Sequence, residues 1–212
     1  MNLLPEDIQQ QIQEYLNFMK DKVTIVLFTK EEPCETCEET TDLLRQIASL
    51  STQLELVEKS FTKDTDDVKK YHIERVPSFV LLDAKGEYHG VKFSGIPGGH
   101  EINSFLGALI DMSGMDYGFD DETIKRIQAI KTPTNIKVFV TLSCPHCPGA
   151  VQTAHRMAML NKNIESEMIE AQTFYDLAMQ YKVSGVPKIV INETQELVGN
   201  QPIESFLEQL EK

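Results

Sequence analysis

The chain is written twice, and the two copies keep step. Cys34 to Pro77 is a span of 43 residues, Cys144 to Pro187 is the same span, and the offset between them is 110 in a chain of 212. The text agrees around each proline: "RVPSFVLLD" at 75–83 and "GVPKIVIN" at 185–192. Further on, "VKFSGIPGG" at 91–99 is answered by "ELVGNQP" at 196–202. Solenoid repeats have periods of roughly 20–50 residues, so a repeat of this length points to two copies of one domain.

Each copy reads alike. A helix leads, with Ile8, Ile12, Tyr15, Leu16 and Met19 at helical spacing after Pro5, and Ile124, Ile127 and Ile130 from about Asp120 in the second copy. A β-rich run follows, "VTIVLFT" at 23–29 and "IKVFVTL" at 136–142, then a cysteine pair and a helix to about Leu50 or Leu160. The strands "LELVEKS" and "IESEMIE", a short helix, the Val-Pro, a hairpin and a closing helix complete the unit. The expected class is α/β: two tandem units, each a mixed four-stranded sheet flanked by helices, over 1–115 and 116–212. The joint is expected near "GMDYGFDD", 114–121.

Composition excludes some functions. The net charge is −13, which disfavours nucleic acid because phosphates would be repelled, and favours a basic partner. No apolar run approaches the ~18 residues of a membrane span. The opening "MNLLPEDIQQQIQEYLNFMK" reads as an amphipathic helix rather than a signal peptide. A cytoplasmic protein is expected, where stable disulfides are rare and paired cysteines bind metal or exchange electrons.

All four cysteines fall in two C-x-x-C pairs, "CETC" at 34–37 and "CPHC" at 144–147. Zinc knuckles usually lie about 15–20 residues apart or beside spaced histidines. Here 106 residues separate Cys37 from Cys144, and His72, His89, His100, His146 and His155 form no H-x₃₋₅-H pair. No metal is expected. His72 and His89 read as surface or packing residues, and His155, eleven residues past Cys144, as solvent-facing.

Dithiol–disulfide exchange suits the pairs better. At a strand-to-helix turn, the sulfur of Cys34 or Cys144 meets free backbone N–H groups and the positive end of the helix dipole, which stabilise thiolate. Cys37 and Cys147, one turn along, then resolve the mixed disulfide. Between the cysteines, His146, beside Pro145, adds positive charge or a hydrogen bond at Cys144 and makes that pair more oxidising. Glu35, with Glu31, Glu32, Glu38 and Glu39, disfavours thiolate at Cys34 and makes that pair more reducing; the same acids also read as a solvated helix start. Pro77 and Pro187 have no N–H, so Val76 and Val186 can offer their backbone to an extended substrate strand.

C-x-x-C after the first strand, with Val-Pro 40 residues past the second cysteine, resembles the thioredoxin and glutaredoxin superfamily. The doubled form with leading helices resembles the two-unit, glutaredoxin-like protein disulfide oxidoreductases. "FSGIPGGHEINSFLGALI" at 93–110 also resembles the N-terminal domain of alkyl hydroperoxide reductase flavoproteins. The resemblance implies two thioredoxin-like units in one continuous sheet, cis bonds at Pro77 and Pro187, a more active C-terminal pair, and electrons from a thioredoxin reductase-like flavoprotein. The chain departs from thioredoxins in having no tryptophan, and in placing Phe28 and Val138 where they carry a buried aspartate six residues before the first cysteine. The "KEEP" stretch suggests two more residues before the first pair than before the second.

The sequence therefore leads to a thiol–disulfide oxidoreductase acting on protein disulfides through Cys144/Cys147 and Cys34/Cys37, with no cofactor needed for the exchange. Its rivals are a dedicated carrier between a flavoprotein reductase and a peroxiredoxin, and a non-catalytic zinc-binding or interaction module.

Overall fold

The structure, a computed structural model, describes residues 3–31, 33–114 and 117–211. The first unit runs α1 (Glu6–Leu16), β1 (Val23–Thr29), α2 (Cys37–Ser49), β2 (Leu54–Ser60), α3 (Thr65–Lys70), β3 (Ser78–Leu82), β4 (Tyr88–Ser94), a 3-10 turn (Gly99–Glu101) and α4 (Ile102–Met112). The second runs α5 (Asp121–Ala129), β5 (Thr134–Val140), α6 (Cys147–Leu160), β6 (Ile164–Glu170), α7 (Tyr175–Gln180), β7 (Lys188–Ile191), β8 (Gln195–Val198) and α8 (Ile203–Leu210). All eight strands form one sheet in the order β2-β1-β3-β4-β6-β5-β7-β8. Within each unit the first two strands are parallel, the first strand of the hairpin runs antiparallel to them, and its second strand turns back to their direction.

Strand alternation divides the apolar residues between the two faces of the sheet. In β1, Val23, Ile25 and Leu27 join a core shared by both units, while Val26 and Phe28 join a smaller cluster with Tyr71 and Ile73 beside α3. In β5, Ile136, Val138 and Val140 face the shared core, and Phe139 faces a third cluster beneath α7. The shared core takes residues from α1, α2, α4, α5, α6 and α8.

The seam between the units is the parallel pair β4–β6, with Val91 opposite Ser166 and Ser94 opposite Ile169. Gly90, at φ +74°, opens this approach: a Cβ there would stand 2.3 Å from the Ile164 carbonyl oxygen. Above the seam, α4 lies along α6. Arg156 Nε donates to Asp111 at 2.7 Å, and Gln152 donates to the Asn103 carbonyl at 3.2 Å.

Several expectations are corrected. His155 is not in solvent. It is 1% exposed, packs 4.7 Å from the Phe93 ring and shares a hydrogen bond with Ser166, because the first unit covers that face of α6. β5 spans 134–140, two residues earlier than the run 136–142, since its pairing with β6 ends at Val140 opposite Glu170. Four residues therefore separate β1 from Cys34 and three separate β5 from Cys144, an excess of one rather than two. Met19 lies beyond the end of α1 yet is buried. Residues 115 and 116, at the expected boundary between the units, lie outside the described residues.

Candidate functional site

Each cysteine pair sits where a central strand hands over to a helix. The hydrogen-bonded turn after β5 closes with Cys144 N–H donating to the Thr141 carbonyl at 3.1 Å, and Cys147 is the first residue of α6. Cys37 opens α2 in the same way. Both pairs are disulfides, with Cα atoms 5.5 Å apart at 34–37 and 5.6 Å at 144–147. Cys34 is half-buried and Cys37 buried, while Cys144 is 9% exposed and Cys147 fully enclosed.

The helix starts differ in charge. The first turn of α2 carries Glu38 and Glu39, whereas the first turn of α6 carries no acid and continues Cys147-Pro148-Gly149. The positive pole of α6 is left to the sulfurs, and that of α2 is partly met by carboxylates. Glu35, Pro145 and His146, the residues expected to tune the pairs, are all exposed on the turns.

The two Val-Pro segments share one backbone geometry, as the resemblance implies. The Val76–Pro77 and Val186–Pro187 bonds are both cis. The Pro77 carbonyl accepts from Gly95 N–H at 2.9 Å and the Pro187 carbonyl from Gly199 N–H at 2.8 Å, which explains the shared text after each hairpin. Cys144 Sγ stands 3.9 Å from the Val186 carbonyl oxygen.

The two turns open toward one another. A cavity of 210 Å³ is lined by Glu35, Thr36 and Glu39 from the first and by Leu142, Glu170 and Thr173 from the second. The first centre also has a polar cavity of its own, 440 Å³, bordered by Cys34, Cys37, Lys30, Glu38 and Arg45.

No acid lies beneath either disulfide on its own strand. Val138 faces the shared core, and the one-residue excess puts Leu27, not Phe28, in the matching place of the first unit. The first unit does place a buried acid in a turn that packs against α6. The 3-10 turn 99–101 packs against α6, and His100 N–H donates to the Leu142 carbonyl at 2.8 Å, two residues before Cys144. Gly99, at φ +54°, permits this: a Cβ would meet that carbonyl oxygen at 2.3 Å. Glu101, which closes the turn, is 0% exposed. Its Oε2 accepts from Ser104, while Oε1 has no partner among the described residues. Burial pushes the carboxyl up to about 7, against the opposing hydrogen bond from Ser104. Sequence reasoning missed this residue; nothing in "PGGHEIN" marks its glutamate as interior.

Two disulfides at strand–turn–helix junctions of one doubled sheet define a two-centre thioredoxin-fold protein. The thioredoxin domain family matches residues 134–212. Over 98% of its length the chain superposes on the alkylhydroperoxide reductase protein AhpF of Enterococcus faecalis, with a TM-score of 0.92, 33% identity and 99% of that chain covered. A protein disulfide oxidoreductase from Aeropyrum pernix gives a TM-score of 0.90 at 32% identity, covering 97% of this chain and 91% of that one. An alkyl hydroperoxide reductase protein of Staphylococcus aureus is 30% identical over 98% of the chain, which spans only 38% of that protein's length. The chain belongs to the thioredoxin superfamily, in the doubled form that protein disulfide oxidoreductases share with the N-terminal domain of AhpF.

Proposed function

We propose that the chain exchanges disulfides with protein substrates, chiefly through Cys144 and Cys147. The observation that carries this is the Cys144–Cys147 disulfide at an acid-free helix start, with the Val186 carbonyl 3.9 Å from Cys144 Sγ. In the reducing direction, Cys144 thiolate attacks one sulfur of a substrate disulfide. A new S–S bond forms, the substrate S–S bond breaks, and the departing thiolate takes a proton. Cys147, deprotonated, then attacks the Cys144 sulfur and expels the second substrate thiol. The substrate gains two electrons and two protons, and the pair becomes a disulfide.

Glu101 is the group we assign to take the Cys147 proton, since it is a buried carboxyl in the turn packed on α6, with one oxygen that has no partner among the described residues. Val186–Pro187, and Val76–Pro77 at the other centre, receive an extended substrate backbone. Cys34 and Cys37 run the same cycle at a more reducing potential, with Glu35 disfavouring thiolate there and His146 and Pro145 tuning the second pair. A thioredoxin reductase-like flavoprotein restores the dithiols. The units divide at 115/116 and the protein works in the cytoplasm; among the described residues no helix is long and apolar enough to cross a membrane.

Equilibration across a dithiol redox series, with alkylation and peptide mass analysis, tests the reading. Both pairs should titrate as two-electron couples, with 144/147 the more oxidising. Failure of 144/147 to form an internal disulfide would sink it. The match to AhpF over 98% of the chain favours a second reading, a dedicated carrier to a peroxiredoxin; rapid reduction of a peroxiredoxin with slow reduction of insulin would select it.

A further inference from the structure

The Val76–Pro77 segment of the first centre is gripped from both sides by one carboxylate of the other unit. On one side, Arg75, whose side chain is 14% exposed, donates through Nη1 to Glu167 Oε1 and through Nη2 to Glu74 at 2.7 Å. On the other, Ser78 shares a hydrogen bond of 2.7 Å with Ser94, whose hydroxyl donates to the same Glu167 oxygen. Glu167 is 2% exposed on β6, across the seam from β4. The Arg75 guanidinium also lies 6.0 Å from the Phe174 ring of the second unit.

The second centre has no counterpart to this grip. The repeat offset puts Gly185 where Arg75 would be, Lys188 in place of Ser78, and Val57 in place of Glu167. A Cβ on Gly185 would meet nothing within 4 Å, so that loop stands in open space. A charge buried this deeply is costly unless paired and hydrogen-bonded, and here its bonds hold both ends of the four-residue stretch 75–78, directly at Arg75 and through Ser94 at Ser78.

We propose that Arg75 and Glu167, meeting across the seam, position the Val76–Pro77 segment, so that the second unit sets how the first centre receives an extended protein disulfide. Both are positioning residues, and the proposal rests on the reading of Cys34 and Cys37 as an exchange centre. A planar two-pronged guanidinium fixes direction as well as charge, which lysine would not reproduce.

The test uses the full chain in two backgrounds: Cys144→Ser/Cys147→Ser leaves the first pair, and Cys34→Ser/Cys37→Ser leaves the second. Insulin and a small aromatic disulfide serve as substrates. With Glu167→Gln in the first background, KM for insulin should rise about tenfold, with kcat within about twofold. The small disulfide, which has no backbone to lay along the segment, should show a much smaller change. Arg75→Lys should give a rise of the same kind. In the second background Glu167→Gln should leave the insulin KM in place, which also shows that the variant folds. Unchanged insulin kinetics at 34/37, or an equal loss at both pairs, overturns the proposal. If 34/37 exchanges with neither substrate before any change at Glu167, the first-centre reading fails and the proposal falls with it.

Discussion

A carboxyl group enclosed by protein, with one serine hydroxyl for company, keeps its proton to a higher pH than one in water. Glu101 rises from 4.5 to about 7 because burial penalises its charged form. The folded state therefore holds a proton that the unfolded chain has released, and stability is lost as pH rises from the unfolded value through the folded one. That loss amounts to about 3 kcal/mol at most, at ~1.4 kcal/mol per pH unit. Glu101→Gln should be flatter by about that amount when urea unfolding is compared at pH 4.5 and pH 8. The same variant should remove an inflection near neutral pH from the turnover of Cys144/Cys147; a profile unchanged in shape would show that Glu101 takes no part in the exchange. Residues like this one were the least legible. Both cysteine pairs and both prolines could be read from spacing, because the C-x-x-C motif is local and the 43-residue span to the proline is written twice. Glu101 and His155 owe their burial to the opposite unit, His155 to Phe93 and the Glu101 turn to the segment before Cys144, and no motif written once in the chain carries that information.

At the scale of elements, helix starts and strand edges decide more than composition does. Glu38 and Glu39 sit over the positive pole of α2, and no acid does so at α6. Helix-end charges are each worth about 0.3–1 kcal/mol, and ~1.4 kcal/mol corresponds to ~30 mV for a two-electron couple. Glu38→Gln/Glu39→Gln should therefore raise the 34/37 potential by roughly 10–40 mV, measured against a dithiol series, and leave 144/147 in place. The seam gives a second expectation. Gly90→Ala brings a methyl group to a carbonyl and demands a left-handed backbone from alanine, so it should cost about 2 kcal/mol or more in chemical unfolding. A loss below ~0.5 kcal/mol would mean that β4 and β6 can ease apart cheaply. Element bounds were readable where pairing and propensity agree, as in β1, β2 and β6. They were misread at β5, where "TL" continues a β-rich run after its partner strand has turned away.

For the molecule as a whole, the doubled text announced two units, and resemblance implied a continuous sheet. Which strands would meet was not legible, since β4 and β6 carry no mark of the seam beyond one glycine. The outcome is a core drawn from six helices of both units on one face, with separate clusters on the other. Unfolding should accordingly be a single transition, with calorimetric and van't Hoff enthalpies equal and both pairs becoming accessible to reductant together. Two resolved transitions would show that the seam is weaker than the units it joins.

The order of the strands also fixes a waiting time. A chain leaves the ribosome at roughly 5–20 residues per second. β4 ends at Ser94 and its partner β6 begins only at Ile164, so the newborn first unit holds a bare strand edge for about 4 to 14 seconds. An unpaired edge is a template for whatever strand arrives first. Any second nascent chain on the same message would offer an identical β6. The doubled architecture thus places its period of greatest vulnerability before the molecule is finished, when fidelity depends on the spacing of ribosomes along the message.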